Sequence, residues 1–339
     1  MMASFVFLGR VEQGTRIRLL TLMPPRRRFG KRLVKSFLPI ALVIVLALVA
    51  SLSFIVYCVS RPQRRAYVVT PEAFAHISGR ALKVTDETWT NRDGRRARGW
   101  LLKGAEGAPA VVLLHRYGGD RSWLFNLGVK LNETTNFTIL WPDLRGHGEN
   151  PLVNWSSLGA NEGDDVLAAV EFLQTLQSDS KKKLVGDMFG VYGVELGAYS
   201  ALKAASDARI KVLVLDSIVR SPDDLLNTAV SNCVGIDNGL VQSLSRTAMK
   251  VYLLGKYDGT TACDFARSVR DQRVMLLSGK EAGPLQEATG ALLNCFPNPA
   301  NVEARTDLPL SGFSLPSATG EQGEAYDRVV IEFFDRNLR

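Results

Sequence analysis

Histidine is scarce in this chain. There are three, His76, His115 and His147, and none follows position 147. The four cysteines, Cys58, Cys233, Cys263 and Cys295, form no CxxC pair and no Cys/His metal spacing, so neither a metal nor a cofactor is expected. Cys58 ends an apolar run. The other three are far apart and read as small buried apolar residues, with one disulfide on the outer side of a membrane as the alternative. There is no internal repeat and no low-complexity tract. Acid is nearly missing from residues 1–65, which hold twelve Lys+Arg against the single Glu12; the chain's net charge of +7 therefore leaves −4 for the rest. The basic balance belongs to the N-terminal part, and a nucleic-acid-binding domain, which would carry its basic patch on the fold, is excluded.

Charge is also absent from Phe37 to Val59, FLPIALVIVLALVASLSFIVYCV. Such a run makes a helix of about 34 Å, enough for a hydrocarbon core of about 30 Å. A cleaved signal peptide fits less well, because the run is too long and the basic region before it too extended. Arg26, Arg27, Arg28, Lys31, Arg32 and Lys35 precede the run, and Arg61, Arg64 and Arg65 follow it. This bias places the N-terminus in the cytoplasm and the large domain in a periplasm, lumen or extracellular space. The division expected is a basic segment over 1–36, a transmembrane helix over 37–59 whose partner is the lipid bilayer, a linker over 60–80 and one domain over 81–339.

Within that domain, short apolar strands alternate with helical spacing. Ala81–Thr90 and Arg96–Gly104 flank the turn Asn91-Arg92-Asp93-Gly94, a hairpin signal. Ala108–His115, Phe137–Pro142, Met188–Gly193, Ile210–Asp216 and Arg273–Gly279 read as buried strands, and Asn301–Thr306 as a further strand. Helices are expected over 120–131, 164–176, 195–205, 222–229, 285–293 and 321–337, while 231–270 has mixed signals. Repeated βα units of this kind predict an α/β fold with a doubly wound, mostly parallel sheet.

Three segments resemble the α/β-hydrolase superfamily, in order and spacing, across about residues 81–339. Val111-Val112-Leu113-Leu114-His115-Arg116-Tyr117-Gly118-Gly119 is similar to an apolar strand followed by H-G-x-G-G. Trp141-Pro142-Asp143-Leu144-Arg145-Gly146-His147-Gly148-Glu149 is similar to P-D-x-R-G-H-G-x-S. Tyr192-Gly193-Val194-Glu195-Leu196-Gly197 lies where these enzymes carry G-x-S-x-G on a strand–turn–helix. The membrane-anchored esterase-like or lysophospholipase-like branch is the nearest in character.

The resemblance implies a Ser nucleophile on the elbow, a His that takes its proton, an acid that orients the His, and two backbone N–H groups for the oxyanion. Here the elbow residue is Glu195. Some relatives use an elbow Asp to attack epoxides or haloalkanes, but Glu is one methylene longer. The alternative is a charge filling a disused pocket. The loop before the last helix, where the family keeps its His, reads Leu308-Pro309-Leu310-Ser311-Gly312-Phe313-Ser314. His115 and His147 take family positions that are structural or border the oxyanion loop. Glu281, or Asp216 at a strand end, stands near the acid position. Arg116 replaces the Gly after the loop His; its backbone N–H and that of Leu196 are the expected oxyanion donors, and its side chain is expected to pair with Glu195. Ser200 is taken as structural. The sequons at Asn132, Asn136 and Asn154 are acceptors only in a glycosylating host. The resulting expectation leans away from an enzyme, toward a pseudoenzyme that binds an acyl or lipid-like ligand or a protein partner. An ester hydrolase working through Glu195 is the alternative.

Overall fold

The computed structural model describes residues 28–78, 82–315 and 320–339, with side chains from Phe37 onward, so the first 27 residues of the basic segment lie outside the described residues. The described residues divide into two units between Ala50 and Ser51. Helix α1 spans Arg28–Ser60. Its stretch from Phe37 is, by length and composition, apolar enough to cross a membrane. Between Phe37 and Val49 large apolar side chains are exposed all round the helix, which suits lipid rather than a protein core.

In the second unit the last turns of α1 behave differently. Ile55, Val56 and Val59 are buried in the domain core, and the carbonyls of Val59 and Ser60 accept hydrogen bonds from Tyr117 Oη at 2.6 Å and Ser156 N at 2.7 Å. The segment 60–80, expected as a linker, is also packed. It holds helix α2, Pro71–Ser78; Tyr67 Oη donates to Asp143 Oδ2 at 2.8 Å, and Val68 N donates to Ser122 Oγ at 2.9 Å.

Eight strands follow: β1 Val84–Thr90, β2 Arg96–Leu102, β3 Ala108–Leu114, β4 Thr138–Pro142, β5 Val185–Val194, β6 Ile210–Asp216, β7 Arg273–Gly279 and β8 Val302–Leu308. They form one sheet in the order β1-β2-β4-β3-β5-β6-β7-β8, with β2 antiparallel to both its neighbours and every other pair parallel. The hairpin turn closes where the sequence places it, Asn91 N donating to Arg95 O at 2.7 Å. Strand β3 shows why its run is apolar throughout. Ala110, Val112 and Leu114 point into one core, Val111 and Leu113 into the other, and all five are buried. One face is covered by α3 (Phe125–Thr135) and α10 (Gly320–Leu338). The other is covered by α4 (Glu162–Thr175), α5 (Leu196–Ala204) and the helices that follow.

The mixed stretch 231–270 resolves into helices with ordinary caps. α6, Pro222–Val234, ends on Gly235 at φ 68°; α7, Gly239–Tyr252, starts from an Asn238 cap; α8, Ala262–Ala266, has a Thr261/Asp264 capping box. α9 is Pro284–Leu292. The cysteine expectation is corrected here. All four are paired, Cys58 with Cys233 and Cys263 with Cys295, at Cα separations of 6.4 and 5.2 Å. The first pair is separated by 175 residues, and only the docking of α1 beside α6 brings it within bonding range.

Candidate functional site at the β5–α5 elbow

Strand β5 runs directly into α5 through one residue, Glu195, held at φ 51° and ψ −103°. A non-glycine residue rarely adopts this conformation, and it persists only where the surroundings enforce it. The neighbouring glycines make the turn sterically feasible. A Cβ at Gly193 would lie 2.3 Å from the Gly197 carbonyl carbon, and one at Gly197 would lie 2.4 Å from Leu114 O. Glu195 N donates to Asp216 O at 3.0 Å, tying the elbow to the end of β6. Ser200 Oγ donates to Leu196 O at 2.7 Å within α5 and faces no site.

The Glu195 carboxylate reaches the loop after β3. Its Oε2 accepts a hydrogen bond from the Tyr117 backbone N–H at 3.0 Å. The donor that meets the elbow side chain is the N–H of Tyr117, the residue after Arg116, and Leu196 is the buried first residue of α5. One expectation about this loop is corrected: the Arg116–Glu195 ion pair is absent. Arg116 extends its guanidinium between two aromatic rings, 4.5 Å from the Trp123 centroid and 5.0 Å from that of Phe313, and its Nη1 donates to Tyr117 O at 3.3 Å. Stacking wins because a guanidinium is weakly hydrated and planar, and two ring faces receive it without the cost of desolvating a tight ion pair. Burial drives the Glu195 carboxyl up to about 7; the Arg116 charge and the Tyr117 N–H oppose that shift without cancelling it.

Neither nearby histidine can serve this carboxylate as a base. His115 Nδ1 lies 2.8 Å from Arg116 O, and its Nε2 accepts Leu144 N–H at 3.0 Å, so both ring nitrogens are engaged in holding two loops. His147 is buried, its Nδ1 lies 2.9 Å from Arg145 O, and desolvation pulls its pKa down to about 4. Its Nε2 has no hydrogen-bond partner, and the residue is not among those that line the cleft beside Glu195. His76 is exposed on α2.

The two acids at family positions are occupied with the loop that lacks the His. Asp216 is fully buried. Its Oδ2 accepts Gly312 N–H at 2.8 Å and the Tyr326 hydroxyl, and its Oδ1 accepts Ser217 Oγ at 2.6 Å. Burial still raises it to about 6, against the pull of these donors. Glu281 Oε1 accepts Ser311 N at 2.6 Å, Ser311 Oγ at 3.1 Å and Ser314 Oγ at 2.9 Å. Sequence reading places Glu281 and Asp216 near the acid position with no histidine to orient; here both hold groups of residues 311–314, and Asp216 also accepts from Ser217 and Tyr326.

A cleft of about 600 Å³ opens beside Glu195, between the start of α6 and that of α9. Val219, Leu225, Leu285, Ala288 and Phe313 give it apolar walls, and Asp224, Glu281 and Arg220 add charge. Sequence reasoning missed Tyr117, the residue that joins three parts of the site. Its N–H binds Glu195, its hydroxyl binds the last turn of α1, and its ring meets His147 edge-on at 5.4 Å. The only sequence signal for it was its place in the H-x-x-G-G loop. Among the described residues no group of His, Cys, Asp and Glu is arranged to hold a metal ion.

No protein-family model and no curated protein sequence matches the chain. Solved structures do. An esterase of Pyrococcus furiosus, Pf2001, aligns over 83% of this chain and 98% of its own at 19% identity, with a TM-score of 0.58. The α/β hydrolase GrgF of Penicillium sp. sh18 aligns over 76% and 99% at 16% identity and TM-score 0.55. An acylaminoacyl peptidase of Pyrococcus horikoshii aligns over 80% of this chain and 44% of its own, at 14% identity and TM-score 0.55. At these identities the likeness speaks for architecture alone. The strand order, the strained elbow and these neighbours together show that the chain has the α/β-hydrolase fold.

Proposed function

We propose that this is a membrane-anchored pseudoenzyme of the α/β-hydrolase fold that binds an apolar, lipid-like ligand in the cleft beside Glu195. One observation carries the reading: the elbow carboxylate accepts the Tyr117 N–H, a backbone donor of the loop that in the resembling enzymes faces the oxyanion. In a serine hydrolase that donor is free for the charge that develops on the substrate carbonyl. Here Glu195 Oε2 already holds it, so an ester carbonyl would have to displace a carboxylate to be polarised. The histidines add to this, since none can accept a proton at the elbow. The cleft supports a binding role over a purely structural one, because its apolar walls are open beside the elbow.

Anchoring is through α1, with the domain on the outer side. The two disulfides support that side, since such bonds persist in oxidising compartments. Digestion of sealed vesicles by an external protease tests it; an outward domain is cut without lysis. Binding is tested with a neutral apolar fluorophore and the full chain in lipid nanodiscs. Saturable emission that Ala288→Trp removes supports the reading, and an unchanged signal in that variant refutes it.

A second reading, ester hydrolysis with Glu195 as nucleophile, is favoured by the intact elbow geometry and the adjoining cleft. Attack by the carboxylate would expel the alcohol and leave a mixed anhydride, and its hydrolysis requires a water-activating base, which no histidine hydrogen-bonded to Glu195 supplies. Turnover that depends on Glu195 distinguishes the two.

A further inference from the structure

The polar groups around the cleft are unequal in kind. Glu195, Asp224 and Glu281 bring three carboxylates. Asn227, also in the wall, has a buried Oδ1 without a hydrogen-bond partner. Against these acceptors stands one cation in the lining, Arg220, whose Nη2 lies 3.7 Å from Glu287 Oε1. The Arg116 guanidinium is near, but it stacks beneath Phe313 and does not line the cleft. Asp224 sits in the first turn of α6, at the edge of the cleft. The walls between these groups are apolar, from Leu225 on α6 to Leu285 and Ala288 on α9.

An apolar chain with a carboxylate or phosphate head would bring a further negative charge among three carboxylates, with Arg220, already beside Glu287, as the one cation in the lining to meet it. A head that donates hydrogen bonds and carries positive charge gains on both counts. We propose that the cleft selects an amphiphile with a cationic, N–H-bearing head, such as a long-chain primary amine, its head between Glu195 and Asp224 and its chain along Leu225, Leu285 and Ala288. The inference rests on the binding role proposed above and supplies its ligand class. It also gives the elbow carboxylate a use: Glu195 is anchored by Tyr117 through one oxygen, and its position at the cleft leaves the carboxylate within reach of a bound head.

The test uses the full chain in nanodiscs of neutral lipid, with octylamine, octanol and octanoate competing against the neutral fluorophore. Octylamine is expected to displace the fluorophore at about tenfold lower concentration than octanoate, the effect of one charge-assisted contact. Glu195→Gln and Asp224→Asn should each bring the displacing concentration of octylamine close to that of octanol in the same variant; two separate variants guard against one that misfolds. Octanoate or octanol competing as well as octylamine would overturn the cationic head and leave the binding role standing. No competition by any of the three, with fluorophore emission indifferent to Ala288→Trp, would overturn both.

Discussion

Two carboxylates, 21 positions apart in sequence and joined through the Glu195 N to Asp216 O hydrogen bond, have opposite circumstances. Asp216 is sealed in the core with donors from Gly312, Tyr326 and Ser217. Glu195 sits on a strained turn beside an open cleft and takes one backbone N–H. The first holds a loop in place. The second is held in place by the fold but is not required by it. In this molecule the α/β-hydrolase fold is maintained by backbone geometry and buried polar contacts, and the elbow side chain is not one of them. Removing structural contacts should therefore cost far more stability than changing the elbow side chain.

The largest effect is expected at the backbone. Gly197→Ala puts a methyl 2.4 Å from Leu114 O, main chain that cannot move aside, and should cost roughly 3 kcal/mol or more, read as a fall in thermal midpoint. Asp216→Ala comes next. It strands the buried Gly312 N–H and takes one partner each from the Tyr326 and Ser217 hydroxyls, for about 3 kcal/mol, measured by denaturant unfolding of the full chain. Reduction of the Cys58–Cys233 bond, or Cys58→Ser, frees the end of α1 from α6 and should cost about 2–4 kcal/mol, seen as faster proteolysis near residues 60–70.

Glu195→Gln should act in the other direction. Burial raises the Glu195 carboxyl from its ordinary range to about 7, so in the pH interval below that value the folded state binds more protons than the unfolded one. Stability then falls as pH rises through the unfolded value and on to about 7, and the penalty is complete above it. The Gln variant should be more stable than the parent at pH 8, by on the order of 1–2 kcal/mol, and close to it at pH 4. A variant less stable than the parent at pH 8 would mean that Glu195 resembles Asp216 after all, and the contrast between them would fail.

Much of the fold was legible before any coordinates. The apolar runs at Ala108–Leu114 and Ile210–Asp216 match β3 and β6, because strands covered on both faces must be apolar at successive positions. Glycines flanking Glu195 marked the elbow. Boundaries were less legible where polar residues enter a strand: β5 begins at Val185, three residues before the expected Met188, because Gly186 and Asp187 interrupt the apolar run. The disulfides and the docking of the end of α1 were not legible, since they depend on chain separations that no local pattern encodes. The site was legible in its members but not in its contacts. Arg116 and Glu195 read as natural partners by charge, yet the aromatic rings of Trp123 and Phe313 receive the guanidinium and a backbone N–H receives the carboxylate. Sequence shows which charges are close; it does not show what else competes for them.

The most direct test of the central claim is the initial rate of hydrolysis of short- and long-chain p-nitrophenyl esters by the full chain in nanodiscs, beside its Glu195→Gln variant. A carboxylate seated on the Tyr117 N–H, with no histidine hydrogen-bonded to it, predicts the uncatalysed rate for both proteins at every chain length. Saturable turnover by the parent that disappears in Glu195→Gln would contradict the account and make Glu195 a catalytic residue.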